Sequence, residues 1–173
     1  KSVDLNGNYD KQEEMHACAN YGQVCAALGV LVDGGAMVCK QFTLTTPATL
    51  YLLDRLAKCF IRLILTKPEC AKQDNSEIYI VGIGYLAHEG RELHTKLLHE
   101  LKDCSIDNYN ESILQGTQYL KSLYQISTHL MNHQIKSIKS NLEIHRDCHR
   151  DSGQMKKTLA DRNRSQVSAW FQR

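Results

Sequence analysis

Proline is almost missing from this 173-residue chain: Pro47 and Pro68 are the only two, and none follows before Arg173. Proline breaks helix interiors, so its absence leaves the stretch after Pro68 free to form long helices, and Leu, Ile and Met recur there at helical spacing. Long apolar runs are absent too. Leu63-Ile64-Leu65 meets Lys67 and Pro68, far short of the roughly 18 apolar residues that a membrane-spanning helix needs, which predicts a soluble protein. Neither a basic-then-apolar leader nor a methionine opens the chain, so Lys1 is expected to mark a processed or cut end. No G-x-S-x-G, no phosphate loop and no Cys-His pair in a known motif context occurs. On this reading the chain has no catalytic residue and no cofactor.

What is present has the composition of a folded protein. Apolar residues make up 42% and charged residues 23%, which argues against disorder and for a single domain over 1–173, with residues 1–9 flexible. Seven cysteines form an odd set. Cys18 and Cys25, seven apart on one helix face, are separated by about 10 Å between Cα atoms, too far to bridge. Cys59 lies beside Phe60 in a leucine-rich stretch. The reading is buried, reduced thiols in a cytoplasmic or nuclear protein. A secreted bundle with three disulfides and one spare thiol is the alternative, and the sequons at Asn110 and Asn163 suit it without deciding it.

The order of elements reads as helical throughout. A first helix is expected from near Asp10, where Asp10 and Glu13 have capping-box spacing and Met15, Cys18, Cys25, Leu28 and Val32 follow at helical steps. Gly34-Gly35 breaks it, and Ala36 to Phe42 is expected to add a helical turn or two. Thr46-Pro47 signals a second start, and that helix, carrying Leu50, Leu53, Leu56, Cys59, Phe60 and Leu63, is expected to run to Lys67-Pro68. Ile78-Tyr79-Ile80-Val81 has the make-up of a strand, but it runs unbroken into Tyr85, Leu86, Leu93, Leu97 and Leu101, which predicts one helix from about Glu77 to Asp103. After a polar break at Ser105 to Asn108 the longest helix is expected to reach about Asp151, with Ile113, Tyr119, Leu120, Leu123, Ile126, Leu130, Ile138 and Leu142 in one half of its projection. Beyond Ser152-Gly153 a last amphipathic helix carries Met155, Leu159, Val167, Trp170 and Phe171. There is no internal repeat.

Candidate chemistry is sparse. Val81-Gly82-Ile83-Gly84-Tyr85-Leu86-Ala87 has the GxGxxA form of a dinucleotide fingerprint, but no second strand ending in an acid follows about 20 residues on. Close packing of two helices accounts for these glycines better. His88 and Glu92 lie one helical turn apart, as do His129 and His133, yet neither pair completes a zinc-protease or di-iron pattern. His145, Cys148 and His149 are the best-placed metal candidates, sharing a helix side with Leu123 and Ile138. The preferred reading leaves them without metal, at a thinning edge of the core.

Charge is distributed unevenly. Residues 1 to 133 hold 12 Lys and Arg against 15 Asp and Glu, and residues 134 to 173 hold 9 against 4. The basic end is read as a solvated helix face because acids interrupt every run, so nucleic acid is not an expected partner. The fold class that follows is all-α, a bundle of four to five helices with one or two long enough for coiled-coil pairing. The function that follows is a non-enzymatic protein-interaction scaffold binding another protein or itself, through an exposed helix face or the basic C-terminal helix. Trp170, Phe171, Arg162, Arg164 and Lys156 are its expected contact residues. A secreted four-helix signalling ligand and a metal-dependent helical enzyme are the alternatives.

Overall fold

The computed structural model of the chain describes residues 11–69, 71–103, 105–148 and 152–171; residues 1–9, expected to be flexible, lie outside them. The all-α expectation is overturned. Helices α1 (Gln12–Val30), α2 (Pro47–Leu56), α3 (Ala87–Lys102), α4 (Leu120–Cys148) and α5 (Ser152–Phe171) are interleaved with strands β1 (Ala36–Phe42), β2 (Phe60–Thr66) and β3 (Glu77–Tyr85). The strands form one antiparallel sheet in the order β1-β3-β2.

Each strand lies where helical spacing and strand composition compete. In β1 burial alternates, with Met37, Cys39 and Gln41 inward and Val38 and Lys40 outward, the period-two signature of a half-buried strand. The helix begun at Thr46 stops at Leu56 rather than at Lys67, and Phe60 to Thr66, which includes β-branched Ile61 and Ile64, becomes β2. In β3 the strand-like make-up of Ile78 to Val81 prevails, and helix begins only at Ala87. Short apolar runs are ambiguous by period alone. The pairings that decide them are non-local: Val38 and Ile64 both oppose Val81, and Cys39 and Leu65 both oppose Ile80.

Some local signals hold. The Thr46 hydroxyl caps α2, accepting from the Thr49 N–H at 3.3 Å, with Pro47 in the first turn. Others do not. The helix expected after Asn108 starts only at Leu120, because the chain first makes a short 3₁₀ turn at Glu111–Leu114 and bends at Gly116, φ +78°. Within α4, Leu123 is buried, and the Ser127 hydroxyl donates to the Leu44 carbonyl at 2.8 Å. Ile138 and Leu142, expected on a dry face, are exposed.

One apolar core joins the elements: Tyr21, Val24 and Leu28 of α1, Leu50, Leu53 and Leu56 of α2, the inner sheet face, and Leu93 and Leu97 of α3. Gly84, at φ +70°, gives β3 a backbone conformation that side-chain-bearing residues rarely adopt. The strand turns there, so that Ile83 is exposed while Tyr85 is buried and donates its hydroxyl to the Leu28 carbonyl at 2.9 Å. Helix α3 passes so close to that ring that a Cβ at Gly90 would lie 2.1 Å from Tyr85 Cε2. The outer sheet face carries Val38, 65% exposed, beside Lys40.

Among the described cysteines Cys25, Cys39 and Cys59 are free and buried, whereas Cys18 is exposed and its thiol donates to Asp107 Oδ1 at 3.4 Å. Burial, with Glu89 nearby, pushes the Cys59 thiol up to about 11. Since the thiolate is the reactive form, Cys18 is expected to alkylate before Cys25, Cys39 and Cys59 in the native protein. Peptide mapping should find Cys25, Cys39 and Cys59 labelled only after denaturation.

Candidate active site

The outer sheet face has a polar end. Lys40 opposes Tyr79 and Phe42 opposes Glu77 across the β1–β3 ladder, and alternation along both strands sends these four side chains to the same face. Lys40 Nζ lies 3.0 Å from Glu77 Oε2, with the two side chains 48% and 19% exposed. The Tyr79 hydroxyl donates to the other carboxylate oxygen of Glu77. Lys40 Nζ also sits over the Phe42 ring, 5.1 Å from its centroid, a cation–π position that limits where the ammonium can swing. Lys40 is thus held from two sides and open on a third.

Lys67, just past the end of β2, flanks the pair. Its Nζ donates to the Asn75 carbonyl and, at 2.8 Å, to Asn75 Oδ1, which in turn accepts from the Glu77 N–H at 3.1 Å. Burial holds Lys67 below the ordinary lysine range, with Glu77 and Asp74 pulling the other way. Hydrogen bonds from Tyr79 and Lys40 hold Glu77 below the ordinary carboxylate range. A depressed folded-state value means the contact is fully formed above the unfolded value and is lost as pH falls through the folded one. Glu77 therefore stays ionised at neutral pH, and its side of the tie is lost as pH falls into acid. Helix α4 reaches the same loop: Gln134 Nε2 donates to the Asp74 carbonyl at 3.3 Å and Asn141 Nδ2 to Asp74 Oδ2 at 3.0 Å.

None of the residues singled out from sequence lies in this cluster. His149 is outside the described residues, as are the side chains of Cys148, Lys156, Arg162, Trp170 and Phe171. His145 and Arg164 are exposed. Among the described residues, no group of three or more His, Cys, Asp and Glu side chains is placed to hold a metal ion. Gly82 and Gly84 lie inside β3, not in a phosphate-facing turn; a Cβ at Gly82 would meet the Phe60 ring at 2.8 Å and one at Gly84 would meet Ile61 Cδ1 at 2.8 Å. The signal for Lys40 and Glu77 was available, in the alternation of Met37-Val38-Cys39-Lys40-Gln41, but it requires reading β1 and β3 as a pair.

Residues 2–85, which contain the whole cluster, match the FtsJ-like methyltransferase family. Among named relatives, a probable methyltransferase of African swine fever virus is 38% identical over 80 residues, 46% of this chain and 19% of that protein. The cap-specific mRNA (nucleoside-2'-O-)-methyltransferase 2 of Danio rerio is 30% identical over 154 residues, 83% of this chain and 20% of that protein. Its Mus musculus counterpart is 35% identical over 100 residues, 58% and 13% respectively. The chain thus spans about a fifth of the length of the first two.

These matches correct the reading of a non-enzymatic interaction scaffold, because what the chain resembles are enzymes. The expectation against nucleic acid falls with it, since two of these relatives are named for acting on mRNA. Among the described residues no helix is long and apolar enough to cross a membrane.

Proposed function

We propose that this chain forms the acid–base part of an RNA 2'-O-methyltransferase site, with Lys40 as general base, held by Glu77, whose carboxylate Tyr79 braces in turn. The observation that carries the reading is the Lys40–Glu77 pair at 3.0 Å on the outer sheet face, inside the segment that matches the methyltransferase family. Methylating a ribose hydroxyl breaks its O–H bond and the donor's bond to the methyl carbon as the O–CH3 bond forms; the donor leaves with that electron pair and the proton needs an acceptor. A neutral lysine amine is intrinsically far more basic than a carboxylate, and Glu77 is made weaker still by its donors. Lys40, which rests as an ammonium beside Glu77, first gives its proton to solvent; the neutral amine then takes the ribose hydroxyl proton, and Glu77 neutralises the ammonium that is re-formed.

The reaction also needs a methyl donor, which supplies the electrophilic carbon. The cavity lined by Thr43, Lys67, Ser76 and Met131, beside the cluster, measures about 40 Å³, near the size needed for a water or two rather than for a cofactor. No step is therefore assigned to donor-binding residues. An mRNA substrate places the work in the cytoplasm or nucleus, and the free thiols of Cys25, Cys39 and Cys59 suit a reducing compartment.

The test is methyl transfer by the purified protein to capped RNA, compared with the same RNA carrying a 2'-deoxy acceptor nucleotide. Transfer to the first and none to the second is expected. Methylation of a base, or equal transfer to both, would exclude a ribose hydroxyl as the acceptor.

A further inference from the structure

Glu13 is the residue whose burial the reading above leaves unexplained. Its side chain is on the first turn of α1 and only 4% exposed, an unusual place for a carboxylate unless it is fully hydrogen-bonded. It does not cap its own helix; α1 starts after Lys11 with no side-chain cap. It reaches instead across to the loop between β1 and α2. There it accepts from the Thr43 hydroxyl, from the Thr45 N–H at 3.0 Å and hydroxyl at 2.7 Å, and from the Thr46 N–H and hydroxyl, both at 2.9 Å. Five neutral donors on one buried carboxylate compensate its charge without a cation.

The clamp acts where strain is stored. Thr43 has φ +44°, a left-handed conformation costly for a β-branched residue, and its hydroxyl is one of the five donors. In that conformation the Thr43 N–H donates to the Ser76 carbonyl at 3.0 Å. This bond extends the β1–β3 ladder one step past the Phe42–Glu77 pair, and it is the last tie before the two strands diverge. Loosening it frees the end of β1 relative to the start of β3, the segments that carry Lys40 and Glu77.

We infer that Glu13 is a positioning residue for the Lys40–Glu77 pair, acting through Thr43 and the strand end it pins. The inference rests on the proposed role of that pair, but the contact itself can be read without catalysis. Glu77 is faced by Lys40 and Phe42 from β1, by Tyr79 on its own strand and by Lys67 from the end of β2, so its titration reports how those groups are held. In Glu13→Gln an amide NH2 replaces one acceptor among five donors, and the clamp loses both charge and complementarity.

The experiment is carbon-13 NMR titration of the Glu77 carboxyl in the full chain, with hydrogen exchange at the Thr45 and Thr46 amides. In Glu13→Gln the Glu77 midpoint is expected to rise toward the ordinary carboxylate range and both amides to lose protection. In methyl transfer kcat should fall by about 10²-fold, the scale of an ångström-sized misplacement, with KM little changed. Thr45→Val, which removes one hydroxyl donor, should shift Glu77 the same way by less and serves if Glu13→Gln does not fold. A folded Glu13→Gln with Glu77 unmoved, or a folded Thr45→Val with Glu77 unmoved where the first variant is unfolded, would overturn the inference. If the wild-type protein transfers no methyl group while Glu77 still shifts, the catalytic reading fails and the positioning stands.

Discussion

Lys40→Met is expected to lower methyl transfer to RNA by about 10²–10⁴-fold, the range general-base catalysis typically contributes, while leaving the fold intact. The side chain is 48% exposed and on the outer sheet face, so methionine keeps an unbranched stem and removes the amine. Lys40→Arg should not rescue. A guanidinium keeps the charge near Glu77 but does not give up its proton at any working pH, which separates a base from a simple cation. Initial rates with labelled methyl donor, alongside circular dichroism and RNA-binding titrations, make the measurement. A Lys40→Arg protein with wild-type rates would show that charge suffices and remove the base from the mechanism.

Ile80→Ala should cost about 2–5 kcal/mol, the span for truncating a buried aliphatic side chain. Native domains hold about 5–15 kcal/mol in total, so this single change removes a substantial share of it. Ile80 is 0% exposed in the middle strand, opposing Cys39 on one side and Leu65 on the other. A cavity there loosens both ladders at once, and urea unfolding should show a lower midpoint. Were the chain a helical bundle with Ile80 in one helix among several, circular dichroism of the wild type would show no strand component, and this expectation would lose its basis.

The helical parts of the molecule are visible in the sequence because their signals are local. The cap at Thr46-Pro47 and the long apolar series of α4 need no partner to be read, although their extents differ from expectation. The sheet is hidden for the opposite reason. In β1 the alternation covers seven residues, too few to outweigh a helical reading, and the ladder that stabilises it comes from residues about 40 positions later in the chain. In β3 the strand composition is plain, but leucines beyond Tyr85 continue at helical spacing, and the turn at Gly84 that separates the two depends on φ. The site inherits the same difficulty. Lys40 and Glu77 become neighbours only when β1 and β3 are placed in register, and each alone is an ordinary surface charge. His145, Cys148 and His149 drew notice for the converse reason, since their residue types are conspicuous while their surroundings are a helix end. Glu13 carries a recognisable capping signal, yet its carboxylate serves a loop thirty residues away.

The close approach of α3 to the Tyr85 ring bears on how this sequence is able to change over time. Any side chain at position 90 collides with an aromatic at position 85, and a small residue at 85 alone leaves a void beside α3 and strands the Leu28 carbonyl without its donor. Each single step is therefore deleterious, and only the pair together offers a way across. Positions 85 and 90 should be inherited as a unit: lineages that keep an aromatic at the first keep glycine at the second, and those that lose one have lost both.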